Sequence, residues 1–192
     1  MRVNVRTLFV GDVHACTSEL SQLLKLANPD RIILLGDLFT KGPHPNRLWK
    51  MIRKHKMEAV LGNHDLYTIH HNYQKLPKKA LNWLQNLPLF IRGDGWIAVH
   101  AGINPAGPTL KEDAVFVRRW PTRKRSNPFW WQLYKGNDLV LYGHDAKRQL
   151  QDRRPYTLGL DTGCVYGFEL AGYLLEEDRI FTVPAQKSYC PI

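Results

Sequence analysis

The chain has 192 residues, 44% of them apolar, which suits one domain with a full hydrophobic core. Its net charge of +10 and pI near 9.7 favour anionic partners such as nucleotides, polyphosphate or nucleic acid. No apolar run approaches the length of a membrane span, the first strand begins within a few residues of Met1, and three cysteines give no disulfide framework. We therefore expect a single cytoplasmic domain over residues 1–192, with no membrane partner.

The first half of the chain alternates strand-like and helix-like patterns. Its strands are predicted at 7–10, 32–35 and 57–61, and its helices at 18–26, 45–54, 66–73 and 78–86. Pro77 precedes the last of these helices and suits a first helical turn, where a missing N–H is no loss. The order β-α-β-α-β favours a sheet with parallel strands.

The second half is rich in strands and turn signals. Residues 90–92 and 96–100 flank Gly93-Asp94-Gly95, which predicts a β-hairpin. Further strands are predicted at 138–142, 157–161, 167–176 and 179–183. This order favours an α/β fold of two packed sheets flanked by helices.

Six of the apolar runs end in a polar cluster that contains metal-binding residue types. The carboxyl ends of strands in open α/β sheets form the rim where ligands bind, so residues far apart in sequence can converge there. Two divalent ions about 3.5–4 Å apart need a bridging carboxylate, with imidazole, amide or carboxylate groups completing each shell. The residues of these types are Asp12, His14, Asp37, Asn63, His100 and His144. Any one of them alone is more typical of a turn, but six in this order predict a two-metal centre.

These clusters resemble the successive motifs of a known family. GDVH (11–14), GDLFTKG (36–42), GNHD (62–65), HAG (100–102) and GH (143–144) are similar to those of the phosphoprotein-phosphatase-like, or calcineurin-like, metallophosphoesterases. GNHDL (62–66), LNWLQNLPL (81–89), HAGI (100–103) and LDTGC (160–164) resemble the bacterial symmetrical bis(5'-nucleosyl)-tetraphosphatases and their relatives. The resemblance extends over about residues 7–181 and implies a four-layer sandwich, with two mixed sheets between layers of helices.

The resemblance also implies roles for individual residues. Asp12 and His14 would hold one metal ion, Asp37 would bridge, and Asn63, His100 and His144 would hold the second ion. A water or hydroxide between the ions would be the nucleophile, and His64 would protonate the leaving oxygen. Among divalent ions we expect Mn²⁺ first, with Fe, Zn²⁺, Co²⁺ or Mg²⁺ as alternatives, because mixed oxygen and imidazole ligands suit them.

The second motif departs from that of the protein Ser/Thr phosphatases, which ends in Asp-Arg-Gly. Thr40 and Lys41 stand at the Asp and Arg positions, so no carboxylate is available there to strengthen His64 as an acid. A phosphoanhydride needs this acid less than an alkyl ester does, because its leaving phosphate is nearly ionised at neutral pH. Lys41 would bind phosphate as a point charge. Arg118 and Arg119 are the candidates for a second phosphate contact, and the sequence does not distinguish them.

The function predicted from these residues is hydrolysis of phosphoanhydride bonds, with diadenosine tetraphosphate cleaved to two ADP. The segment between His100 and His144 is shorter than in the tetraphosphatases that the chain resembles, so capped RNA, polyphosphate and aryl phosphates stay open as substrates. A protein phosphatase or broad phosphomonoesterase is the alternative within the family. A nucleic-acid-binding module is the alternative outside enzymes, because basic residues at 41–56 and 117–125 are interleaved with tryptophans that could stack bases or fill the core.

Overall fold

The computed structural model describes residues 5–71, 75–121, 124–146 and 149–191, and these contain two five-stranded sheets. The first sheet has the strand order β10-β9-β1-β2-β3, and the second has the order β4-β5-β6-β8-β7. The strands of the first sheet are β1 (Thr7–Val10), β2 (Arg31–Leu34), β3 (Glu58–Ala59), β9 (Glu169–Leu174) and β10 (Arg179–Pro184). Those of the second are β4 (Phe90–Gly93), β5 (Trp96–Val99), β6 (Leu139–Tyr142), β7 (Gln151–Arg153) and β8 (Thr157–Gly159).

Both sheets are mixed, and each contains three neighbouring parallel strands. β1, β2 and β3 are parallel, with Val10 opposite Leu34 and Leu34 opposite Ala59. β5, β6 and β8 are parallel in the second sheet, where β4 and β7 pair antiparallel at the two edges. In the first sheet β9 pairs antiparallel with both β1 and the edge strand β10. The carboxyl ends of the parallel strands therefore lie along one edge of each sheet, where loops can carry a site.

The described parts of the chain contain six α-helices, which cover the sheets. They are α1 (Thr17–Ala27), α2 (Pro45–His55), α3 (Asn63–His71), α4 (Lys78–Gln85), α5 (Lys111–Phe116) and α6 (Trp130–Leu133). Two short 3₁₀ helices span Cys164–Tyr166 and Leu175–Glu177. Within the described ranges, no helix combines the length and the apolar character that crossing a membrane requires.

Three groups of buried side chains separate these layers. Leu8 and Val10 face α1 and α2, whereas Phe9 between them faces the second sheet, as the alternation along a strand requires. Phe9 packs edge-on against Trp96 of the second sheet, with ring centroids 4.8 Å apart. A third group, which includes Trp130, joins the second sheet to α5 and α6. The arrangement confirms the predicted fold of two mixed sheets flanked by helices.

Several predicted elements differ in extent from the observed ones. The strand predicted at 57–61 is reduced to Glu58–Ala59, because the backbone N–H of Leu61 turns to the carbonyl of Pro88. The helix predicted at 66–73 begins earlier, as Asn63–His71, and the predicted residues 72 and 73 lie outside the described ranges. Pro77 lies one residue before α4, at its N-cap. β7, α5 and α6 were not predicted.

Three of the tryptophans in or near the basic segments, Trp49, Trp130 and Trp131, follow the core alternative. Trp130 and Trp131 are buried, and the indole N–H of Trp130 donates to the carbonyl of Ala101 at 3.0 Å. Trp49 packs against Trp83, with ring centroids 5.7 Å apart. These three side chains therefore fill the interior or a helix interface.

Candidate metal centre

The loops that follow the parallel strands of the two sheets meet in one polar cleft of about 60 Å³. Its lining residues are Asp12, His14, Asp37, Lys41, Asn63, His64, Arg118, His144, Ala146, Asp161 and Tyr166. His100 borders the same space through contacts with Asn63 and Asp37. The structure thus brings together all six side chains predicted as metal ligands, with His64, Lys41 and Arg118 beside them.

Asp37 lies between two histidines on one side of the cleft. Its Oδ2 is 3.8 Å from His14 Nε2, and its Oδ1 is 3.5 Å from His100 Nε2. Ligand atoms of Asp12, His14 and Asp37 all lie within 4.8 Å of one another, and the three residues are buried. This spacing allows one carboxylate to be shared between neighbouring cations.

Three of the candidate ligands have a left-handed backbone conformation that residues other than glycine rarely adopt. The φ angles are 42° at His14, 53° at Asp37 and 65° at His144. Such conformations cost about 1–3 kcal/mol each and cluster at functional sites, where the surrounding structure holds them. Each of these residues lies two to four positions after the end of a strand, and the strained turn there directs its side chain into the cleft.

Asn63 lies between His100 and a third histidine, His144. Its Oδ1 is 2.9 Å from His100 Nε2 and 2.8 Å from His144 Nδ1. His100 Nδ1 is 2.7 Å from the carbonyl of Leu35, which can only accept, so Nδ1 carries the proton. Burial lowers the pKa of His100, so the neutral ring turns the lone pair of Nε2 toward another acceptor, Asn63 Oδ1. A cation between these two acceptors would satisfy both.

Three carboxylates share the cleft with these histidines. Burial, reinforced by Asp161 and Asp37, raises the pKa of Asp12 well above its usual range. Burial likewise raises the pKa of Asp37 to about 7 and that of Asp161 to about 6. Neighbouring buried carboxylates repel one another when ionised, and divalent cations would neutralise them. The donor set of carboxylate, amide and imidazole groups therefore fits hard or borderline divalent metal ions.

His64 lies at the mouth of the cleft, at the start of α3. Its backbone N–H donates to Asp37 Oδ1 at 2.8 Å, and its ring stands edge-on to that of His14 with centroids 5.3 Å apart. Partial burial, followed by the positive charge of Lys41, lowers the pKa of His64 to about 4. The hydroxyl oxygen Oγ1 of Thr40 is hydrogen-bonded to Nδ1 of His14 at 2.9 Å, so Thr40 orients this candidate ligand.

The cationic candidates differ in where they lie. Lys41 Nζ donates to the hydroxyl of Tyr166 at 2.6 Å and lines the cleft. Arg118 also lines the cleft and donates to the carbonyl of His144 at 3.0 Å. Arg119 instead donates to the carbonyl of Asn127 and lies 4.1 Å above the ring of Phe129. Of the two arginines, Arg118 is the one that borders the candidate metal ligands.

Two larger cavities adjoin the cleft, and Asn63 belongs to the lining of both. The first, of about 640 Å³, is lined by Asn63, Phe116, Arg118, Arg119, Arg125, Phe129, His144 and Asp145. The second, of about 470 Å³, is lined by Lys41, Asn63, His64 and Tyr67. Each is large enough for part of a small-molecule ligand, and each offers positive charge and at least one aromatic ring.

Two acidic residues of the centre were not assigned from the sequence. Asp161, in LDTGC, follows a strand as the other candidates do, and its position after the strand could have identified it from the sequence. Asp65 is fully buried and accepts backbone N–H groups from Asp37 at 2.9 Å, Leu38 at 2.9 Å and Gly62 at 3.0 Å. It therefore joins the loop after β2 to the start of α3, although it does not line the cleft.

Comparisons with known proteins agree with this geometry. The family model for calcineurin-like phosphoesterases matches residues 5–148. A symmetrical bis(5'-nucleosyl)-tetraphosphatase from Coxiella burnetii (strain CbuK_Q154) is 25% identical, over 95% of this chain and 92% of that protein. The asymmetrical bis(5'-nucleosyl)-tetraphosphatase PrpE of Geobacillus sp. (strain WCH70) is 26% identical, over 95% of both chains.

A solved structure described as a "putative diadenosine tetraphosphatase" superposes with a TM-score of 0.89. Its sequence is 28% identical to this one, and the superposition covers 96% of this chain and 95% of that chain. The alignment with the Coxiella protein is 269 positions long, so that relative carries segments with no counterpart among these 192 residues. Since the family model matches more than half of the chain, the chain belongs to the calcineurin-like phosphoesterase family.

Proposed function

We propose that the protein is a metal-dependent hydrolase of phosphoanhydride bonds whose preferred substrates are dinucleoside polyphosphates. The observation that carries this proposal is the narrow cleft of buried carboxylates and imidazoles, which opens into two larger cavities with cationic and aromatic walls. A polyphosphate crossing the cleft would extend a nucleoside into each cavity. Diadenosine tetraphosphate cleaved at its centre would leave one ADP on each side.

In this proposal Asp12 and His14 would hold one divalent ion, Asn63, His100 and His144 would hold the other, and Asp37 would contribute to both. Asp161 adds a carboxylate near Asp12. When bound, the ions supply Lewis acidity toward phosphoryl oxygens and toward water at neutral pH. We expect Mn²⁺ to support activity best, because oxygen and imidazole donors suit it.

The side chains of the cleft then bind and orient the substrate. Lys41 and Arg118 offset the negative charge of the phosphates, and the fork of Arg118 can bind two phosphate oxygens at once. Their positions at the mouth of the cleft would align the scissile bond between the cavities. Orientation of this kind accounts for much of the rate in phosphoryl transfer.

The leaving group favours an anhydride over an alkyl ester. His64 lies where it can donate a proton or a hydrogen bond to the leaving oxygen, but its lowered pKa leaves the ring mostly neutral at pH 7. A neutral imidazole is a weak acid toward an alkoxide. A neutral imidazole is sufficient for a phosphate leaving group, because the last proton of that phosphate has a pKa of about 6.

The relatives support a nucleotide substrate, because both kinds carry the name bis(5'-nucleosyl)-tetraphosphatase. They include a symmetrical and an asymmetrical enzyme, so the cleavage position needs its own support. The two cavities supply it, since central cleavage requires a nucleoside and two phosphates on each side of the metal ions. Phe116 and Tyr67 are 37% and 49% exposed, and their rings could contact the bases; the ring of Tyr67 also stacks on His71, with centroids 4.1 Å apart.

Product analysis with Mn²⁺ tests the proposal. We expect two ADP from diadenosine tetraphosphate, with slower turnover of a phosphopeptide and of p-nitrophenyl phosphate. ATP plus AMP would contradict central cleavage while leaving the hydrolase assignment intact. Faster turnover of the phosphopeptide would favour the phosphomonoesterase alternative, and nucleic-acid binding without any turnover would favour the binding-module alternative.

The two cavities can be tested with Phe116→Ala and Tyr67→Ala. Each variant should raise KM for diadenosine tetraphosphate by about 5- to 100-fold, since one lost stacking contact is worth about 1–3 kcal/mol. KM for inorganic tripolyphosphate, which has no base, should stay near the value of the unmodified protein. Equal effects on both substrates would contradict the assignment of the cavities to nucleosides.

A further inference from the structure

A second group of metal-binding side chains lies outside the residues that line the polar cleft. Cys16 immediately precedes α1, Glu19 lies in the first turn of that helix, and Cys164 begins a 3₁₀ helix after β8. Each offers one ligand atom, and these atoms all lie within 4.8 Å of one another. All three residues are at most 1% exposed. The proposed hydrolase chemistry makes no use of them.

The carboxylate of Glu19 is satisfied on one side. Its Oε1 accepts the backbone N–H of Gln186 at 3.0 Å and the hydroxyl of Tyr189 at 2.7 Å. Its Oε2 is buried and has no hydrogen-bond partner in the part of the chain that the structure describes. A buried carboxylate oxygen without a partner is costly, and native structures seldom leave one. A cation bound between Glu19 and the two thiols would supply the missing partner.

We infer that Cys16, Glu19 and Cys164 form a binding site for a thiophilic divalent cation, with Zn²⁺ as the ion that fits best. Zn²⁺ binds sulfur at about 2.3 Å and carboxylate oxygen at about 2.0–2.2 Å in a tetrahedron, which places neighbouring ligand atoms about 3.3–3.8 Å apart. The corresponding atoms of Cys16, Glu19 and Cys164 all lie within 4.8 Å of one another, so small side-chain movements would bring them to these distances. Thiolates disfavour Mg²⁺ and Mn²⁺, which prefer oxygen. Each thiol releases its proton to solvent when its sulfur binds the ion.

The surroundings of Glu19 are those expected of a metal ligand. Ligating carboxylates are usually held by hydrogen bonds to the oxygen that does not bind the ion. Tyr189 and Gln186 hold Oε1 in this way, and the backbone N–H of Tyr189 donates to the carbonyl of Val165, next to Cys164. The segment around residue 189 thus fixes both sides of the site.

An ion bound at this site would connect two separate segments of the chain and so stabilise the fold. A bound ion would join the loop after β1, which carries Asp12 and His14, to the turn after β8, which carries Asp161. These segments come from different sheets and supply neighbouring carboxylates of the polar cleft. Binding at Cys16, Glu19 and Cys164 should therefore raise the thermal stability of the protein without adding a group to the cleft.

Titration of the reduced protein with Co²⁺ tests the inference by absorbance. The residues proposed for the catalytic ions have only oxygen and nitrogen donors, so a thiolate-to-cobalt charge-transfer band reports the cysteine site alone. We expect the final intensity of the band to correspond to one thiolate-bound Co²⁺ per chain, and the band to be displaced by Zn²⁺. It should be lost in Cys164→Ser and retained in Cys190→Ser, a matched control whose sulfur contacts the carbonyl of Pro191. Far-ultraviolet circular dichroism checks that both variants are folded.

Two further variants keep the test decisive if Cys164→Ser does not fold. Glu19→Gln removes the carboxylate charge, and Tyr189→Phe removes one hydrogen bond to it. Each should weaken Co²⁺ binding by about 10- to 100-fold while leaving a sulfur-to-metal band at high Co²⁺ concentration. The absence of a charge-transfer band in the reduced unmodified protein, or its persistence in folded Cys164→Ser, would overturn the inference.

Discussion

Asp37 is in contact with both groups of candidate ligands, through His14 on one side and His100 on the other. Asp37→Asn removes the negative charge and replaces one ligating oxygen by an amide nitrogen. We expect turnover to fall by at least about 100-fold, comparable to the loss of a major electrostatic contact in an active site. Metal analysis after gel filtration should show less bound metal. Asp94→Asn, in the exposed hairpin turn, is the control, and a normal metal content in Asp37→Asn would exclude the shared role.

His64 differs from the candidate ligands because its ring faces the mouth of the cleft and the cavity that Tyr67 lines. His64→Asn should lower the rate on an alkyl phosphate, because an alkoxide leaving group depends on whatever proton or hydrogen bond the ring can donate. The loss on diadenosine tetraphosphate should be clearly smaller, because a leaving phosphate needs less protonation. Single-turnover rates on both substrates measure this, with the exposed His55→Asn as control. Equal losses would remove the leaving-group argument.

The buried carboxylates make metal binding depend on pH in a defined direction. The pKa of Asp37 is raised to about 7, so this group is mostly protonated at pH 6 and ionised at pH 8. Burial lowers the pKa values of His14 and His144 well below their usual range and also lowers that of His100, so these rings add little to the release of protons. Since a metal ion binds the ionised carboxylate, Mn²⁺ should release more protons at pH 6 than at pH 8. Calorimetry in buffers of different ionisation enthalpy measures this, and equal release would contradict the raised pKa.

The loop after β2 and the start of α3 are held together by close packing and by hydrogen bonds. A Cβ atom at Gly62 would lie 2.3 Å from the backbone nitrogen of Asp37, so only glycine fits there. Asp65 adds three hydrogen bonds across the same junction. These contacts hold Asp37 and Asn63 in a common frame, although neither Gly62 nor Asp65 is itself a candidate ligand.

Asp65→Asn tests this junction. An amide has one acceptor oxygen, so at least one buried backbone N–H would lose its partner at a cost of about 1–3 kcal/mol. In a chain of this size each kcal/mol lowers Tm by about 2–4 °C. Thermal unfolding at pH 8 without metal should therefore show a loss of several degrees against Asp94→Asn. An unchanged Tm would mean that the three hydrogen bonds do not stabilise the junction.

The strands that precede the candidate metal ligands were predictable from the sequence, because each is a run of apolar residues followed by a polar cluster. β1, β5 and β6 have the predicted bounds or differ by one residue. β7 was missed because Gln151–Arg153 is polar and pairs at an edge through its backbone, which leaves no hydrophobic pattern. α3 starts before its prediction because the helical turn over Asn63 and Asp65 is set by polar contacts. Asp161 was overlooked as a site residue because the six other candidates already completed two ligand sets.

The net charge of +10 is spread unevenly over the molecule, and helix α2 contains no acidic residue. Arg47, Lys50 and Arg53 on this helix are exposed, and Lys41 precedes it at the cleft. Arg118, Arg119 and Arg125 line the larger cavity. The positive charge is therefore present both at the site and on a neighbouring surface, where it can raise the local concentration of polyanions.

This charge predicts how activity depends on salt. Exposed charges are screened beyond about 10 Å at 0.1 M ionic strength and beyond about 3 Å at 1 M. The value of kcat/KM for diadenosine tetraphosphate should therefore fall by about 10-fold or more between low and high salt, whereas kcat should change little because the reacting bond lies among buried groups. p-Nitrophenyl phosphate carries less charge and should show a shallower slope. Equal slopes for the two substrates would mean that binding is governed by the contacts inside the cleft and not by the charge of the molecule.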